Sequence, residues 1–399
     1  MSLNSAPRGM RSAIAIIGRT NVGKSSLLNA ITDMEVSIVS ETSGTTTDAV
    51  AKPYELVPVG PVVFYDTAGL DDVTELGQKR IKATDKVLFK SNLALLVCGE
   101  QGLGDFEKNI MQKLSDLKIP FVVVFNKSDI YTPNEENISY CEKNKIIYIK
   151  TNVSDKASIN ALKELIIKQI PQDDMTLLSG IVKANDLIVM VAPIDAEAPK
   201  GRLILPQVQA IRDILDKNAV AIVTQVEQLN QTIASLNRLP DWVITDSQAV
   251  KQVKELIPED VKLTTFSILF ARLKGDLKIM QKGADVLDSL QDGAKILIAE
   301  ACAHHMAGDD IAKVKIPNAI KKYTQKQIEF TYCNGSDFPE NMEEFDLVIH
   351  CGACMLNRAE MLNRLNECVR RNVPISNFGV ILSKISAVKT TDITKGLFL

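Results

Sequence analysis

The sequence lacks any long apolar segment. Among its 399 residues there is no uninterrupted apolar run of about 18 residues, the length that a membrane-spanning helix requires. The stretch from Met1 to Met10 also lacks the apolar core of a secretory signal peptide. These absences argue against an integral membrane protein and against a secreted one. We therefore expect a cytoplasmic protein with no membrane partner.

The sequence also has little excess charge of either sign. Its net charge of −3 at pH 7 gives no broad electrostatic attraction for nucleic acid, and we expect no nucleic-acid partner. Seven cysteines are too few for a secreted disulfide scaffold, so they indicate free thiols or metal ligands. The proportions of charged residues, 24%, and hydrophobic residues, 46%, are those of an ordinary globular protein. The length predicts about two to four domains.

The first part of the chain alternates short apolar runs with amphipathic segments of helical length. This pattern predicts a mostly parallel, doubly wound α/β sheet. The predicted strands are Ala13–Ile17, Val62–Tyr65, Leu93–Val97 and Phe121–Phe125. A predicted helix, Ile159–Ile170, is followed by the polar break Pro171–Asp174. We therefore predict a first domain over residues 1–172.

Two smaller α/β domains are predicted after this break, over residues 177–272 and 273–399. The predicted strands of the second domain are Leu187–Val191, Ala219–Val223, Trp242–Thr245 and Lys262–Phe266. This domain contains no catalytic motif, so we expect it to serve in packing or subunit association. The predicted strands of the third domain are Lys295–Ala299, Ile328–Tyr332 and Asp346–Ile349. If these strands are parallel neighbours, Cys302, Cys333 and Cys351 lie together at one carboxyl edge of the sheet.

The loop after the first predicted strand has the sequence GRTNVGKS, residues 18–25, which is a complete phosphate-binding loop. Its glycines let backbone N–H groups turn toward phosphate, Lys24 can reach the β and γ phosphates, and the Ser25 hydroxyl can bind Mg²⁺. A strand before this loop and a helix after it are the context that the motif requires. The residues predicted to bind nucleotide here are Gly18, Asn21, Val22, Gly23, Lys24, Ser25 and Ser26.

Two further motifs follow predicted strands. In Asp66-Thr67-Ala68-Gly69 the Asp66 carboxylate can hold Mg²⁺ and the Gly69 N–H can contact the γ phosphate. In the sequence NKSD, residues 126–129, the Asp129 carboxylate can accept hydrogen bonds from the N1–H and 2-amino groups of guanine, which adenine cannot supply. We therefore predict GTP as the nucleotide, bound here by Asn126, Lys127 and Asp129.

These motifs resemble those of the TrmE and Era branch of the translation-factor-type GTPases over about the first 170 residues. The resemblance implies GTP hydrolysis, with residues 44–48 (GTTTD) as switch I and Thr46 as a further Mg²⁺ ligand. Asn21 matches the asparagine that helps to hold K⁺ in potassium-activated members. Leu70 stands where Ras-like enzymes carry a water-orienting glutamine, so we expect slow hydrolysis. The fifth motif corresponds to Thr151, Asn152 and Val153.

The last third of the chain contains cysteines at a spacing typical of metal sites. Cys351 and Cys354 form a C-x-x-C pair that can bring two thiolates to one metal, and Cys302 can add a third. Three sulfurs leave one coordination position. The candidates for it are His304, His350, Asp309, Asp310 and Cys333. The spacing alone does not separate a zinc site from an iron–sulfur cluster.

The pattern C-x-H followed by H-C-x-x-C, downstream of such a GTPase, resembles the HydF family of [FeFe]-hydrogenase maturation GTPases. The resemblance implies a 4Fe-4S cluster on the three cysteines, an exchangeable fourth position and a homodimer formed through the middle domain. It also implies a carrier role, in which a diiron precursor made with the radical-SAM maturases HydE and HydG is delivered to apo-[FeFe]-hydrogenase. A tRNA-modifying GTPase similar to TrmE, and a GTPase with a structural zinc module, remain as alternatives.

Overall fold

The computed structural model of this protein describes residue 9, residues 11–33, 49–70, 75–171, 175–194, 203–301, 311–335, 338–339, 341–353 and 355–386, and residue 397. The chain divides into two compact units, Met1–Asp173 and Asp174–Leu399. Within the described ranges, no helix is both long enough and apolar enough to cross a membrane.

The described part of the first unit forms one six-stranded sheet with helices on both faces. The strands are β1 (Ser12–Gly18), β2 (Val50–Leu56), β3 (Gly60–Asp66), β4 (Leu93–Cys98), β5 (Phe121–Phe125) and β6 (Tyr148–Lys150). The helices are α1 (Lys24–Thr32), α2 (Glu75–Phe89), α3 (Asp105–Asp116), α4 (Glu135–Lys143) and α5 (Lys156–Gln169). The strand order is β2-β3-β1-β4-β5-β6, and every pair is parallel except β2 with β3.

Alternate residues of the central strands supply two separate cores. Ile14 and Ile16 of β1 pack with residues of α1 and α5 on one face, whereas Ala15 and Ile17 pack with residues of α2 and α3 on the other. A strand buried on both faces reads as a continuous apolar run, as in the fully buried sequence LALLVC of β4. The sheet therefore presents the carboxyl ends of its parallel strands, and the loops that follow them, at one edge.

The second unit contains two four-stranded parallel sheets. The first is formed by β7 (Leu187–Val191), β8 (Val220–Thr224), β9 (Trp242–Thr245) and β10 (Lys262–Thr265), in the order β10-β9-β7-β8. The second is formed by β11 (Ala294–Glu300), β12 (Ile328–Asn334), β13 (Leu347–His350) and β14 (Ile375–Asn377), in the order β12-β11-β13-β14. The described helices are α6 (Leu205–Asp216), α7 (Leu229–Ala234), α8 (Val250–Leu256), α9 (Phe266–Lys274), α10 (Leu277–Asp285), α11 (Ile316–Thr324), α12 (Arg358–Arg370) and α13 (Phe378–Ile385).

One continuous apolar core joins the two sheets of this unit. It extends from Ile188 in β7 through Phe266 and Leu269 in α9 to Ile298 in β11 and Ile349 in β13. The boundary that we predict at residue 272 falls inside α9, whose residues pack with α12 and α13. The division of residues 177–399 into two domains stays a prediction.

The predicted fold class is confirmed, and the predicted strands agree with the structure to within two residues at each end. Strands β2, β6 and β14 are not among the predicted strands. Strands β6 and β14 have only three residues each, which is too short for a periodic signal. Strand β2 is mostly exposed and contains Pro53, which is typical of an edge strand.

Candidate functional site

The phosphate-binding loop lies at the carboxyl edge of the first sheet, between β1 and α1. A Cβ on Gly18 would collide with the carbonyl oxygen of Val97, and Gly23 has a φ of 91° that favours glycine. Gly23 precedes α1 and, having no side chain, does not cap the amino terminus of that helix. The first N–H groups of α1 are therefore available to an anion, as phosphate binding requires.

Lys24 is buried within this loop. Its Nζ donates to the carbonyl oxygens of Gly18 at 3.2 Å and of Arg19 at 2.7 Å. These contacts curl the loop around the ammonium group. A phosphate bound in the loop would offer Lys24 a charged acceptor in addition to these neutral ones.

Ser25 in the first turn of α1 and Asp66 at the end of β3 meet at this edge. The Ser25 hydroxyl donates to Asp66 Oδ2 at 2.5 Å, while Asp66 Oδ1 is buried and has no hydrogen-bond partner among the residues that the structure describes. Burial raises the pKa of Asp66, and the hydroxyl of Ser25 and the charge of Lys24 partly offset that rise. A hydroxyl beside an unsatisfied carboxylate oxygen fits a hard cation such as Mg²⁺. These two residues would hold the ion, which would neutralise phosphate charge when bound.

The NKSD motif is tied to the phosphate-binding loop by two of its side chains. Asn126 Nδ2 donates to the carbonyl oxygen of Val22 at 3.0 Å, and Lys127 Nζ donates to that of Asn21 at 2.8 Å. Asp129, by contrast, is exposed. The structure thus brings this motif against the loop and leaves the Asp129 carboxylate open to solvent.

The fifth motif adjoins the same strand end. The buried Thr151 hydroxyl donates to Asn126 Oδ1 at 3.1 Å, and the Thr151 carbonyl oxygen accepts from the Ser128 N–H at 3.0 Å. Asn152 accepts from the Ser154 N–H at 2.9 Å, and Val153 is partly exposed. The loop after β6 is therefore coupled to the NKSD motif through Thr151.

The remaining predicted residues of the nucleotide site differ in what surrounds them. Ser26 is exposed in the first turn of α1, and the Asn21 backbone has a φ of 62°. A Cβ on Gly69 would collide with Thr20, which brings the DTAG motif directly against the phosphate-binding loop. Thr46 lies outside the described residues.

One feature of this site was missed by the sequence analysis. Arg19, inside the phosphate-binding loop, donates through Nε to Glu107 Oε1 at 2.7 Å, and its guanidinium lies 4.5 Å from the centre of the Phe106 ring. Glu107 also accepts from the Gly104 N–H at 3.0 Å, near the start of α3. This ion pair joins the loop to α3. Because the two residues are 88 positions apart, no local pattern could have indicated it.

The candidate metal centre lies at the carboxyl edge of the last sheet. Residue Ala299 of β11 is paired with Cys333 on β12 and with His350 on β13, so the neighbouring-strand prediction is confirmed. Cys351 Sγ accepts from the Ala301 N–H at 3.1 Å, which brings this sulfur beside the residue that precedes Cys302. An N–H donor to sulfur is typical of thiolate ligands in iron–sulfur proteins.

His350 is fully buried, and both of its ring nitrogens have partners. Nδ1 lies 2.9 Å from the carbonyl oxygen of Cys351 and Nε2 lies 2.9 Å from Arg364 Nη1. Because an arginine can only donate, Nε2 accepts and Nδ1 carries the proton. Burial and the adjacent guanidinium lower the pKa of His350 to about 3. Coordination of a metal by His350 would require one of these contacts to break, and its role as a ligand stays a prediction.

The other predicted metal ligands, Cys302, His304, Asp309, Asp310 and Cys354, lie outside the described residues. Within the described ranges, no three histidine, cysteine or acidic side chains are grouped closely enough to hold a metal. The ligand set therefore stays a prediction, and of the three cysteines Cys302, Cys351 and Cys354 the structure describes Cys351.

Comparison with known proteins matches three segments of the chain to family models. Residues 13–127 match the model of a GTPase domain described as a 50S ribosome-binding GTPase. Residues 177–275 match the hydrogen maturase F dimerization domain, and residues 278–393 match the hydrogen maturase F tetramerization domain.

The similar curated proteins are GTPases of the expected branch. The tRNA modification GTPase MnmE of Coxiella burnetii is 35% identical over 158 residues, covering 38% of this chain and 33% of that protein. GTPase Era of Heliobacterium modesticaldum is 30% identical over 173 residues, covering 42% of this chain and 58% of that protein. The chain thus spans about a third of the MnmE relative and less than two thirds of the Era relative.

A solved structure of Aquifex aeolicus Era bound to GDP and AlF₄⁻ aligns with 56% of this chain and 98% of its own, at 20% identity and a TM-score of 0.35. The family assignment rests instead on the family models. Two of them are specific to hydrogen maturase F and together match more than half of the sequence. The chain therefore belongs to the hydrogen maturase F (HydF) family, whose architecture it shares from the GTPase domain to the tetramerization domain.

Proposed function

We propose that this protein is a GTPase and an iron–sulfur scaffold that carries a diiron precursor during the maturation of [FeFe]-hydrogenase. The observation that carries this proposal is the position of Cys351. Its sulfur accepts a hydrogen bond from the N–H of Ala301 at the carboxyl edge of β11 and β13. Ala301 directly precedes Cys302 in the sequence, and the chain belongs to the HydF family. The proposal has a nucleotide part, a metal part and a partner part.

In the nucleotide part, GTP binds in the loop of residues 18–25 and hydrolyses to GDP and phosphate. Lys24 and the first N–H groups of α1 bind the phosphates, Ser25 and Asp66 hold Mg²⁺, and Asp129 selects guanine. Thr46 and Gly69 complete the contacts to Mg²⁺ and the γ phosphate. Hydrolysis is slow, because Leu70 cannot orient the attacking water.

A monovalent cation supports this hydrolysis. We assign the Asn21 side chain as a ligand of K⁺, which would place positive charge beside the phosphates in the transition state. GTP turnover is expected to be faster in KCl than in NaCl at the same ionic strength, and Asn21→Ala should remove that difference. Asn144→Ala, which removes an exposed asparagine just after α4 and outside the nucleotide-binding motifs, is the control and should keep it. Equal rates of the unaltered protein in the two salts would refute the assignment.

In the metal part, Cys302, Cys351 and Cys354 hold a 4Fe-4S cluster, and one iron keeps an exchangeable position. Three thiolates fix the cluster, and a weak fourth ligand suits a site at which a second iron unit arrives and leaves. The candidates for that fourth ligand remain His304, His350, Asp309, Asp310 and Cys333. To bind iron, His350 would first have to break its hydrogen bond with Arg364 or with the carbonyl oxygen of Cys351.

In the partner part, the diiron precursor is the cargo. The radical-SAM maturases HydE and HydG supply it, and apo-[FeFe]-hydrogenase receives it. The residues that match the dimerization and tetramerization models mediate association of this chain with copies of itself. Both matches support an oligomer, and we propose a homodimer as its basic unit.

The two other candidate functions make different predictions about bound metal. A structural zinc module needs the same cysteines but no iron. Modification of tRNA is the printed function of the MnmE relative, but the shared region covers only 33% of that protein.

Metal content and absorption of anaerobically purified protein test the metal part. We expect a brown protein with broad visible absorption, containing iron and sulfide in equal amounts. Cys351→Ser should lose most of this iron because a three-sulfur site cannot spare a thiolate. Cys368→Ala, which removes a thiol buried in α12, is the control and should retain it. A colourless wild-type protein that contains zinc would support the zinc module instead.

A further inference from the structure

A lysine of helix α9 donates hydrogen bonds to the backbone of the loop that contains the C-x-x-C pair. Lys274 Nζ donates to the carbonyl oxygen of Ala353 at 2.8 Å and to that of Leu356 at 2.5 Å. Ala353 is joined directly to Cys354, and its backbone φ of 54° lies in the left-handed region. The ammonium group therefore holds the backbone at Ala353 and at Leu356, and Ala353 is in a conformation that a non-glycine residue rarely adopts.

Lys274 is itself buried, with 4% of its surface exposed. It is the last residue of α9, where a cation interacts favourably with the carboxyl end of the helix dipole. The ring of Phe270, one turn earlier, has its centre 5.6 Å from Nζ. Carbonyl oxygens, a helix carboxyl end and an aromatic face all favour the charged form of the side chain. Taking a cation out of water is costly, so a position like this one needs a structural or functional reason.

We propose that Lys274 positions the Cys351–Cys354 loop for metal binding and offsets the negative charge that metal-bound thiolates bring to it. This inference rests on the proposed iron–sulfur function. A four-iron cluster held by three thiolates is anionic, and one-electron reduction adds a further negative charge. A buried cation beside the loop stabilises the more negative form and thereby raises the reduction potential. Lys274 is a positioning residue, because it acts through the backbone of the loop.

Lys274 and the loop that it contacts lie in segments of the chain that match different family models. The residue lies in the segment that matches the dimerization domain, residues 177–275, whereas the loop lies in the segment that matches the tetramerization domain, residues 278–393. Both segments belong to the same compact unit. A side chain of the former thus completes the support of the metal loop in the latter, and the metal site depends on α9.

Neutral and charged replacements of Lys274 separate its two effects. In protein reconstituted anaerobically with ferrous iron and sulfide, Lys274→Met should shift the reduction potential to more negative values, because the compensating charge is gone. It should also lose iron to a chelator about tenfold faster or more, because the loop is no longer held. Lys274→Arg, which keeps the charge, should retain the wild-type potential. The potential is measured by an electron paramagnetic resonance titration.

The matched control is Arg272→Met. Arg272 is a buried cation of the same helix, but its guanidinium donates to the carbonyl oxygens of Leu397 and Ser179. We expect its removal to leave the potential unchanged. A wild-type potential in Lys274→Met would overturn the inference, as would a shift in Arg272→Met equal to that in Lys274→Met. Should Lys274→Met fail to fold, Lys274→Arg decides alone, and a negative shift in that variant contradicts the charge argument.

Hydrogen exchange of the metal-free protein separates this inference from the proposed function. Amides in residues 351–356 should exchange faster in Lys274→Met than in wild type or in Arg272→Met. A wild-type protein that binds no cluster would refute the proposed function while leaving this measurement valid. Unchanged exchange in Lys274→Met would refute the positioning role whether or not a cluster forms.

Discussion

Asp66 combines two properties that conflict in the absence of a cation. Its Oδ2 accepts from Ser25, but its Oδ1 is buried and finds no partner in the described part of the chain, and burial raises the pKa of the carboxyl group. A folded-state pKa above the unfolded value means that the folded protein favours the protonated acid. Stability from this group is therefore present at low pH and is lost as pH rises through the raised pKa. At neutral pH the ionised side chain is a local cost to folding, which a bound cation would relieve.

Asp66→Asn tests this interpretation. The amide oxygen can still accept from Ser25, and no buried charge remains, so the metal-free variant should unfold at a denaturant concentration equal to or above that of wild type at pH 7. GTP hydrolysis should fall by at least about a hundredfold, since Mg²⁺ contributes several kcal/mol of charge stabilisation in the transition state. Urea unfolding and steady-state phosphate release measure the two effects. A variant that is both less stable and fully active would contradict both statements.

At the scale of elements, the phosphate-binding loop depends on a helix that is distant in sequence. Arg19 reaches Glu107 in the first turn of α3, and Glu107 also caps that helix through Gly104. The Glu107 side chain has only 2% of its surface exposed, so this ion pair is far less screened than a surface pair. The orientation of α3 and the position of the loop are therefore linked.

Glu107→Gln should weaken this link. The amide can keep one acceptor contact but loses the charge and one of the two acceptor oxygens that Glu107 offers to Arg19, and Glu107 is itself buried, so the free energy of unfolding should fall by about 1–3 kcal/mol. We expect a parallel loss of GTP affinity, measured by calorimetric titration. The control is Asp85→Asn, which removes the exposed ion pair with Lys113 in the same unit. That change should cost less than about 1 kcal/mol and leave GTP affinity unaltered.

Elements buried on both faces were the predictable part of the fold. Strand β4 is a continuous apolar run and β7 has the same character, so a simple pattern located both. The edge strand β2 and the three-residue strands β6 and β14 have no comparable pattern, because their pairing is decided by neighbouring strands. For the same reason, no sequence pattern indicated that Lys274, the last residue of α9, contacts the metal loop.

At the scale of the whole molecule, nucleotide and metal residues lie in units with separate cores. The phosphate-binding loop belongs to Met1–Asp173 and the C-x-x-C loop to Asp174–Leu399, and each unit packs around its own apolar clusters. Loss of one ligand should therefore leave the fold around the other intact. This separation allows the two parts of the proposed function to be tested independently.

Lys24→Ala is the corresponding test. Removal of the buried ammonium group should abolish GTP binding, because the phosphates lose their main cationic contact. Iron and sulfide content after anaerobic reconstitution should match wild type. Nucleotide binding is followed with a fluorescent GTP analogue and iron by colorimetric assay. Loss of iron in this variant would contradict the independence of the two units.

The sequence by itself determined the chemistry of the nucleotide site. In the loop of residues 18–25, the groups that we propose to bind phosphate are mostly backbone N–H groups and one lysine within a few consecutive residues, so a local pattern contains nearly the whole proposed site. The family resemblance also followed from motifs of this kind, and the matched family models confirm it.

Only the tertiary structure decided which distant residues support these motifs. Ser25 and Asp66 are 41 positions apart, His350 and Arg364 are 14 apart, and Lys274 and Ala353 are 79 apart. Burial and hydrogen bonding between such residues depend on how sheets and helices pack, and sequence periodicity extends over one element at a time. The residues that carry out the chemistry can therefore be read from the sequence, whereas the residues that hold them in place become visible only in the folded chain.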